Sequence, residues 1–123
     1  MIDISISIVE LEYILRIIIA VILGAIIGFE REITKKPAGL RTHIFISMGA
    51  CLFTISSFYL IPQDAVGVSI DVSRIAAGIV TGTAFIGAGT IIASKQHVVG
   101  LTTAASIWVV GALGLMVGLG NYL

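Results

Sequence analysis

The charged and hydroxyl-bearing side chains best spaced for chemistry interrupt an otherwise apolar chain. One group combines carboxylates, guanidinium groups and hydroxyls, which together suit an anion, an acidic group or a hard cation. Glu32 adds a carboxylate to this group, so its oxygens could serve Mg²⁺. The alternative is a solvated charged rim that binds nothing. The members of the group are Glu30, Arg31, Arg41, Thr42, Thr102 and Thr103.

A second group consists of two acid–arginine pairs at helical spacing. Glu12 precedes Arg16 by one turn, and Asp71 precedes Arg74 at i, i+3. Side chains at these spacings meet on one face of a helix. We expect both pairs to anchor the outer ends of membrane helices rather than to form a site.

The sequence does not favour catalysis. No nucleophile–base arrangement and no phosphate-cradling loop is visible. His43 and His97 are too far apart in sequence to indicate a metal pair, and the single Cys51 excludes an intramolecular disulfide and a cysteine zinc site. We therefore predict a protein that is not an enzyme and holds no cofactor, with the metal question left open.

The elements that must position these residues are membrane helices. Of the 123 residues, 58% are hydrophobic and 11% are charged, and the mean hydropathy is +1.13. A soluble domain of this size could not bury so much apolar surface. Seven basic and seven acidic residues cancel, which argues against a nucleic-acid partner. The partner this composition implies is the lipid bilayer.

Four nearly charge-free stretches each approach the ~20 residues that a membrane-spanning helix needs. We predict spans at about residues 13–30, 40–61, 73–94 and 100–120. They fill one transmembrane domain, residues 1–123. The predicted fold is all-α, a polytopic four-transmembrane-helix bundle.

The charges in the connections predict the orientation of the bundle. The 31–41 and 95–97 turns carry five Lys or Arg, against two on the other side. Basic residues are enriched in cytoplasmic loops. We therefore expect both turns in the cytoplasm, with the chain crossing the membrane several times.

The two halves of the chain are similar to each other. Gly39-Leu40-Arg41-Thr42 recurs as Gly100-Leu101-Thr102-Thr103, 61 positions later. Each half would form a hairpin with the same orientation, which gives a parallel repeat rather than an inverted one. Chance similarity between glycine-rich hairpins is the alternative.

Small residues mark where helices approach closely. In lipid, Gly and Ala stripes let backbones come together and gain dispersion contacts. The stripes either pack one bundle, or leave one stripe over for a homodimer, the assembly that we expect. The glycines concerned are Gly24, Gly28, Gly78, Gly82, Gly87, Gly89, Gly114 and Gly118.

The segment from Thr81 to Thr90 is unusually rich in small and hydroxyl residues. The favoured interpretation is a continuous helix whose threonine hydroxyls bond to the preceding turn. A distorted segment that lines an ion or ligand path is the alternative.

Five ordered motifs resemble the MgtC/SapB family of bacterial membrane proteins, over about residues 14–122. They are LGAIIGFERE at 23–32, PAGLRTH at 37–43, DVSRIAA at 71–77, FIGAGTI at 85–91 and GLTTAASIW at 100–108. Where the family often has Gln, a Gly-Ile-Gly run and a basic residue, this chain has Gly78, Thr83 with Ala84, and Val99. These departures weaken a polar path along the third span and thin the cytoplasmic charge.

The resemblance implies an inner-membrane protein linked to Mg²⁺ limitation and, in pathogens, to virulence. It also implies a further span and a small cytoplasmic domain in many members. We expect a regulator or partner-binding module that contacts other membrane proteins. A small ion channel or Mg²⁺ transporter subunit is the alternative.

Overall fold

The computed structural model describes residues 8–60, 71–93 and 96–122 of the chain. They form four helices, α1 (Ile8–Ile33), α2 (Leu40–Tyr59), α3 (Val72–Ala88) and α4 (Leu101–Gly118). Two short strands, β1 (Ile92–Ala93) and β2 (Val98–Val99), pair antiparallel in the connection between α3 and α4. The all-α, helical-bundle prediction is confirmed, with this small ribbon as an addition.

Three helices, α1, α2 and α4, are long and apolar enough to cross a membrane by length and composition. Helix α3 is apolar but has only 17 residues, about 26 Å at 1.5 Å per residue. The prediction carried this span to residue 94, but the helix ends at Ala88. Gly87 and Gly89 flank this end, and glycine weakens a helix by about 1 kcal/mol relative to alanine.

Helix α4 is the centre of the bundle, since it packs against each of the other three helices. Its buried side chains include Ile107 and Val110, both 0% exposed. Helix α1 packs on α2 and α4, whereas α3 packs mainly on α4. The bundle is therefore closed between α1 and α4 and looser between α2 and α3.

The predicted repeat has one clear counterpart in the fold. Gly39 is the N-cap of α2 and Gly100 is the N-cap of α4, at equivalent positions of the two halves. Gly100 has a φ of +93°, a left-handed conformation that favours glycine. The halves differ in packing. Helix α1 packs against α4, whereas the equivalent contact between α3 and α2 is much smaller.

Candidate functional site

One end of the bundle gathers most of the polar side chains singled out in the sequence. Arg31 lies in the last turn of α1, and its Nη2 donates a 2.6 Å hydrogen bond to Oγ1 of Thr103 in the first turn of α4. Arg31 is 6% exposed and Thr103 is 2% exposed. Two residues that lie 72 positions apart are thus buried together, and this contact fixes the end of α1 against α4. We call this end of the bundle the Arg31 end.

The start of α2 is held at the same end by a carboxylate. Glu32 Oε2 accepts a 2.7 Å hydrogen bond from the backbone N–H of Leu40. A carboxylate at a helix N-terminus satisfies an amide that has no partner within the helix, and it complements the helix dipole. A side chain on Gly39 would meet the end of the flexible Glu32 side chain, which would have to move aside. Glu32 is therefore a capping residue in the structure.

The remaining members of the predicted cluster surround this contact with different exposures. Glu30, Arg41 and Thr102 are exposed, and Thr42 is half-buried. Arg41 also borders a hollow of about 290 Å³, whose other lining residues include Glu32 and Phe45. The structure thus joins Arg31 directly to Thr103, and leaves the exposed members at the surface of the same end.

Beneath this surface lies a polar contact that the sequence did not reveal. His43 is fully buried, with its Nδ1 2.9 Å from the carbonyl oxygen of Gly39 and its Nε2 3.0 Å from Oγ of Ser106. Because a carbonyl only accepts, Nδ1 carries a hydrogen. Nε2 lies against the Ser106 hydroxyl, which itself donates a 2.8 Å hydrogen bond to the carbonyl of Thr103. His43 therefore ties α2 to α4. The sequence signal that could have indicated this contact is a histidine placed one turn after a predicted helix start.

Ser47 lies one turn further along α2 than His43 and is also a buried polar residue. It is fully buried, and its hydroxyl has no hydrogen-bond partner among the described residues. Its carbonyl oxygen lies where a side chain on Gly114 would stand, so α2 and α4 touch here through their backbones. Arg31, His43 and Ser47 are therefore all buried polar residues in tightly packed surroundings.

The outer-end arginines have different surroundings. Arg16 pairs with Glu12, and its Nη1 donates a 2.7 Å hydrogen bond to the carbonyl of Gly118 at the end of α4. Asp71 instead caps α3, because its carboxylate accepts from the backbone N–H groups of Ser73 and Arg74. The hydroxyl of Ser73, first, and these amides lower the pKa of Asp71 below its ordinary value. The first pair is an ion pair and the second is a helix cap.

The predicted packing glycines divide into used and unused positions. Side chains at Gly24 and Gly28 would meet α2, those at Gly114 and Gly118 would also meet α2, and one at Gly87 would meet α4. Gly89 ends α3 and approaches only its own helix. Nothing lies within 4 Å of a side chain built at Gly78 or Gly82.

The threonines of the 81–90 segment bond to their own helix. Thr81 donates to the carbonyl of Ala77, Thr83 to that of Ile79 and Thr90 to that of Gly87. The helix continues through Ala88, which agrees with the continuous-helix interpretation.

The potential metal-ligating side chains are dispersed in the part of the chain that the structure describes. Within the described ranges, no three His, Cys, Asp or Glu side chains come together in a group that could hold a metal ion. The Glu32 carboxylate is occupied by the cap on α2. The described carboxylates therefore assemble no site for a resident Mg²⁺.

This chain is similar to several bacterial proteins, one of which has a name that refers to magnesium. A family model described as "MgtC family" matches residues 17–123. The "Putative magnesium transporter YhiD" of Escherichia coli (strain K12) is 51% identical over 115 residues, 90% of this chain and 53% of that protein. "Protein MgtC" of Salmonella typhimurium is 43% identical over 110 residues, 89% of this chain and 45% of that protein.

A third relative comes from a more distant bacterium. "Protein SapB" of Bacillus subtilis (strain 168) is 40% identical over 118 residues, 93% of this chain and 50% of that protein. The chain spans about half the length of the curated relatives it matches. No solved structure matches the chain significantly.

Proposed function

The chain belongs to the MgtC family, and from this membership we propose a non-enzymatic membrane module of Mg²⁺ homeostasis that acts by binding partners. The link to magnesium is supported by a relative's printed name. The link to virulence follows only from the family resemblance. The proposed contact surface is the Arg31 end, with Glu30, Arg41 and Thr102 as its exposed members.

The observation that carries this proposal is the Arg31–Thr103 contact. It joins the end of α1 to the start of α4, while Glu32 joins the end of α1 to the start of α2. Three helix ends are thereby fixed relative to one another. A fixed set of exposed polar groups can present one geometry to a partner, because little ordering is needed on binding.

The test is complementation under Mg²⁺ limitation in a strain that lacks the corresponding gene. Glu30→Gln and Arg41→Gln, made in the full-length gene, should abolish growth or regulation without lowering the amount of protein in the membrane. Lys36→Gln is the matched control, because it removes an exposed charge from the same connection outside the proposed surface. Full activity of both test variants would contradict the proposal.

A small ion channel or Mg²⁺ transporter subunit is the second candidate, favoured by the word "transporter" in the name of the Escherichia coli relative. Its test is ion flux in liposomes that contain the purified protein. Flux of Mg²⁺, K⁺ or H⁺ above that of empty vesicles would support this candidate. For all three ions, a flux no greater than that of empty vesicles would remove this candidate.

We also propose a multi-pass location in the bacterial inner membrane, with the 31–41 and 95–97 turns in the cytoplasm. The Arg31–Thr103 and His43–Ser106 contacts support a common side for both connections. The excess of basic residues in these turns supports the cytoplasmic side.

A homodimer is proposed on the groove between α2 and α3. This groove has a volume of about 540 Å³ and an apolar lining that includes Phe45, Gly49, Phe53, Gly78, Gly82 and Ile86. Its occupant would be α3 of a second copy, because Gly78 and Gly82 have the spacing of a close helix contact and meet nothing within the bundle. Asp71 and Arg74, both exposed at one end of α3, supply opposite charges that a two-fold axis would pair.

A further inference from the structure

The two helix starts at the Arg31 end differ in how they are capped. The start of α2 receives the carboxylate of Glu32. The start of α4 follows Gly100 and receives no side-chain cap. The first amides of a helix have no partner within the helix and carry the positive end of its dipole. Among the described residues, the first amide of α2 thus has a side-chain partner, whereas the cap of α4 supplies none.

Arg31 adds a buried positive charge beside these amides. Among the described residues, its guanidinium makes one hydrogen bond, to the neutral hydroxyl of Thr103, and its Nε is buried without a partner. No carboxylate of the described ranges lies within ion-pair distance of it. A guanidinium stays charged at any physiological pH, and a buried charge without a counter-charge is unfavourable. These surroundings favour an anionic ligand.

The surroundings of the α4 start are apolar as well as positive. Val98 and Val99 of β2 are each 55% exposed, and Leu101 is 59% exposed. These side chains lead directly into the first turn of α4. A small soluble anion would make no use of them, whereas a lipid presents glycerol and acyl carbons next to its phosphate.

We propose that Arg31 and the first turn of α4 bind the phosphate of an anionic phospholipid. The phosphate accepts from the Arg31 guanidinium and from the amides of the exposed residues Leu101 and Thr102, as anions do at helix N-termini. The exposed hydroxyl of Thr102 adds one more donor. This inference rests on the proposed function, since it assigns a ligand to part of the same surface.

The experiment measures lipid binding to the purified full chain in detergent by native mass spectrometry. The probe is dihexanoyl phosphatidylglycerol, compared with dihexanoyl phosphatidylcholine and with inorganic phosphate. We expect saturable binding of phosphatidylglycerol that Arg31→Gln weakens by about tenfold or more. Lys36→Gln, which removes an exposed cation from the same connection, should leave the affinity unchanged.

Three results would overturn the proposal. Equal phosphatidylglycerol affinity for the wild type and Arg31→Gln would remove Arg31 from the site. Displacement of the lipid by an equal concentration of inorganic phosphate would show a free-phosphate site instead of a lipid site. An affinity for phosphatidylcholine equal to that for phosphatidylglycerol would remove the requirement for an anionic lipid.

A second pair of variants protects the test against unfolding. Thr103→Ser keeps the hydroxyl that holds Arg31, and Thr103→Val removes it with little change in volume. We expect Thr103→Ser to bind as the wild type does and Thr103→Val to bind more weakly, with both remaining folded; equal binding by the two would contradict the proposal. Glu30→Gln separates the two hypotheses, because it should lose activity in cells while it binds the lipid normally.

Discussion

His43 shows how one side chain can organise several backbone segments. It is 0% exposed and lies between the Gly39 carbonyl and the Ser106 hydroxyl. The same residue forms the surface against which Gly28 packs, since a side chain at Gly28 would stand 3.0 Å from Cβ of His43. His43 therefore contacts α1 and α4 from its place on α2.

We expect His43→Phe to destabilise the bundle. The phenyl ring fills a similar volume but removes both side-chain hydrogen bonds, each worth about 0.5–1.5 kcal/mol. The Gly39 carbonyl and the Ser106 hydroxyl keep their bonds to the backbone amide of residue 43 and to the Thr103 carbonyl. Thermal or denaturant unfolding in detergent measures the change. Ser56→Ala alters an exposed position of the same helix and should have little effect. Unchanged stability of His43→Phe would show that neither hydrogen bond matters.

Asp71 gives a pH prediction at the other end of the bundle. The Ser73 hydroxyl, and then the capped amides, lower its pKa in the folded protein. A lowered pKa means that the cap stabilises α3 above the ordinary pKa of 3.8 and that this stabilisation is lost as the pH falls through the folded value. Hydrogen exchange at the first turn of α3 should accelerate relative to α4 below about pH 4.

Asp71→Asn supplies the control for this pH effect. Asparagine still caps a helix but does not titrate in this range. The relative exchange rate of the first turn should therefore become independent of acid pH in this variant. A persistent pH dependence would assign the effect to another group.

Single residues were only partly predictable from the sequence. Glu12 and Arg16 meet because helical spacing brings i and i+4 together, which is a local rule. His43 and Ser106 are 63 positions apart, and no local pattern pairs them. Asp71 was expected to pair with Arg74, yet the competing role of an acid before a helix, as an N-cap, accounts for its contacts.

At the scale of the elements, the helices were predictable because each apolar stretch had to match the membrane thickness. The first and last residues of the helices were less predictable. Helix α1 begins at Ile8, earlier than predicted, because Glu10 and Glu12 lie in its first turns, where acidic residues are favourable. The strand pair between α3 and α4 had no sequence signal beyond its β-branched residues.

The glycines of α1 give a prediction about helix packing. A side chain at Gly24 would stand 2.7 Å from the carbonyl oxygen of His43, which belongs to the α2 backbone. Gly24→Ala should therefore destabilise the bundle by about 1–3 kcal/mol, as overpacking does. Gly49→Ala is the matched control, because a side chain there meets nothing within 4 Å. Unfolding in detergent compares the two, and equal stabilities would contradict close α1–α2 packing.

At the scale of the whole molecule, the bundle is asymmetric although its halves resemble each other. Helix α1 fills the space beside α4, while α3 leaves a groove beside α2. The sequence identified the glycine stripes but could not assign them, since the same Gly-x-x-x-Gly spacing serves contacts within a bundle and between bundles. Only the packing shows that Gly78 and Gly82 are the unused pair.

The dimer proposal predicts that filling the groove separates the copies. Gly82→Leu should weaken self-association by about tenfold or more, measured by energy transfer between labelled chains in liposomes. Ala84→Leu is the control, because Ala84 is exposed on α3 outside the groove lining. Unchanged association of Gly82→Leu would leave a lipid chain or another protein as the occupant and would overturn the dimer.

The orientation is tested by single cysteines in a Cys51→Ala background. Lys36→Cys should react with a membrane-impermeant thiol reagent only after the cells are opened. Ser73→Cys, exposed at the start of α3, should react in intact cells. The reverse pattern would place the 31–41 turn outside. Equal reaction in intact cells would show two orientations.

The contact between Arg31 and Thr103 also orders the biogenesis of the protein. The guanidinium reaches the membrane with the first hairpin, but its hydroxyl partner arrives 72 residues later, with the last helix. Until α4 is inserted, the first hairpin holds this arginine without that partner. The contact can therefore form only after the last helix has been made.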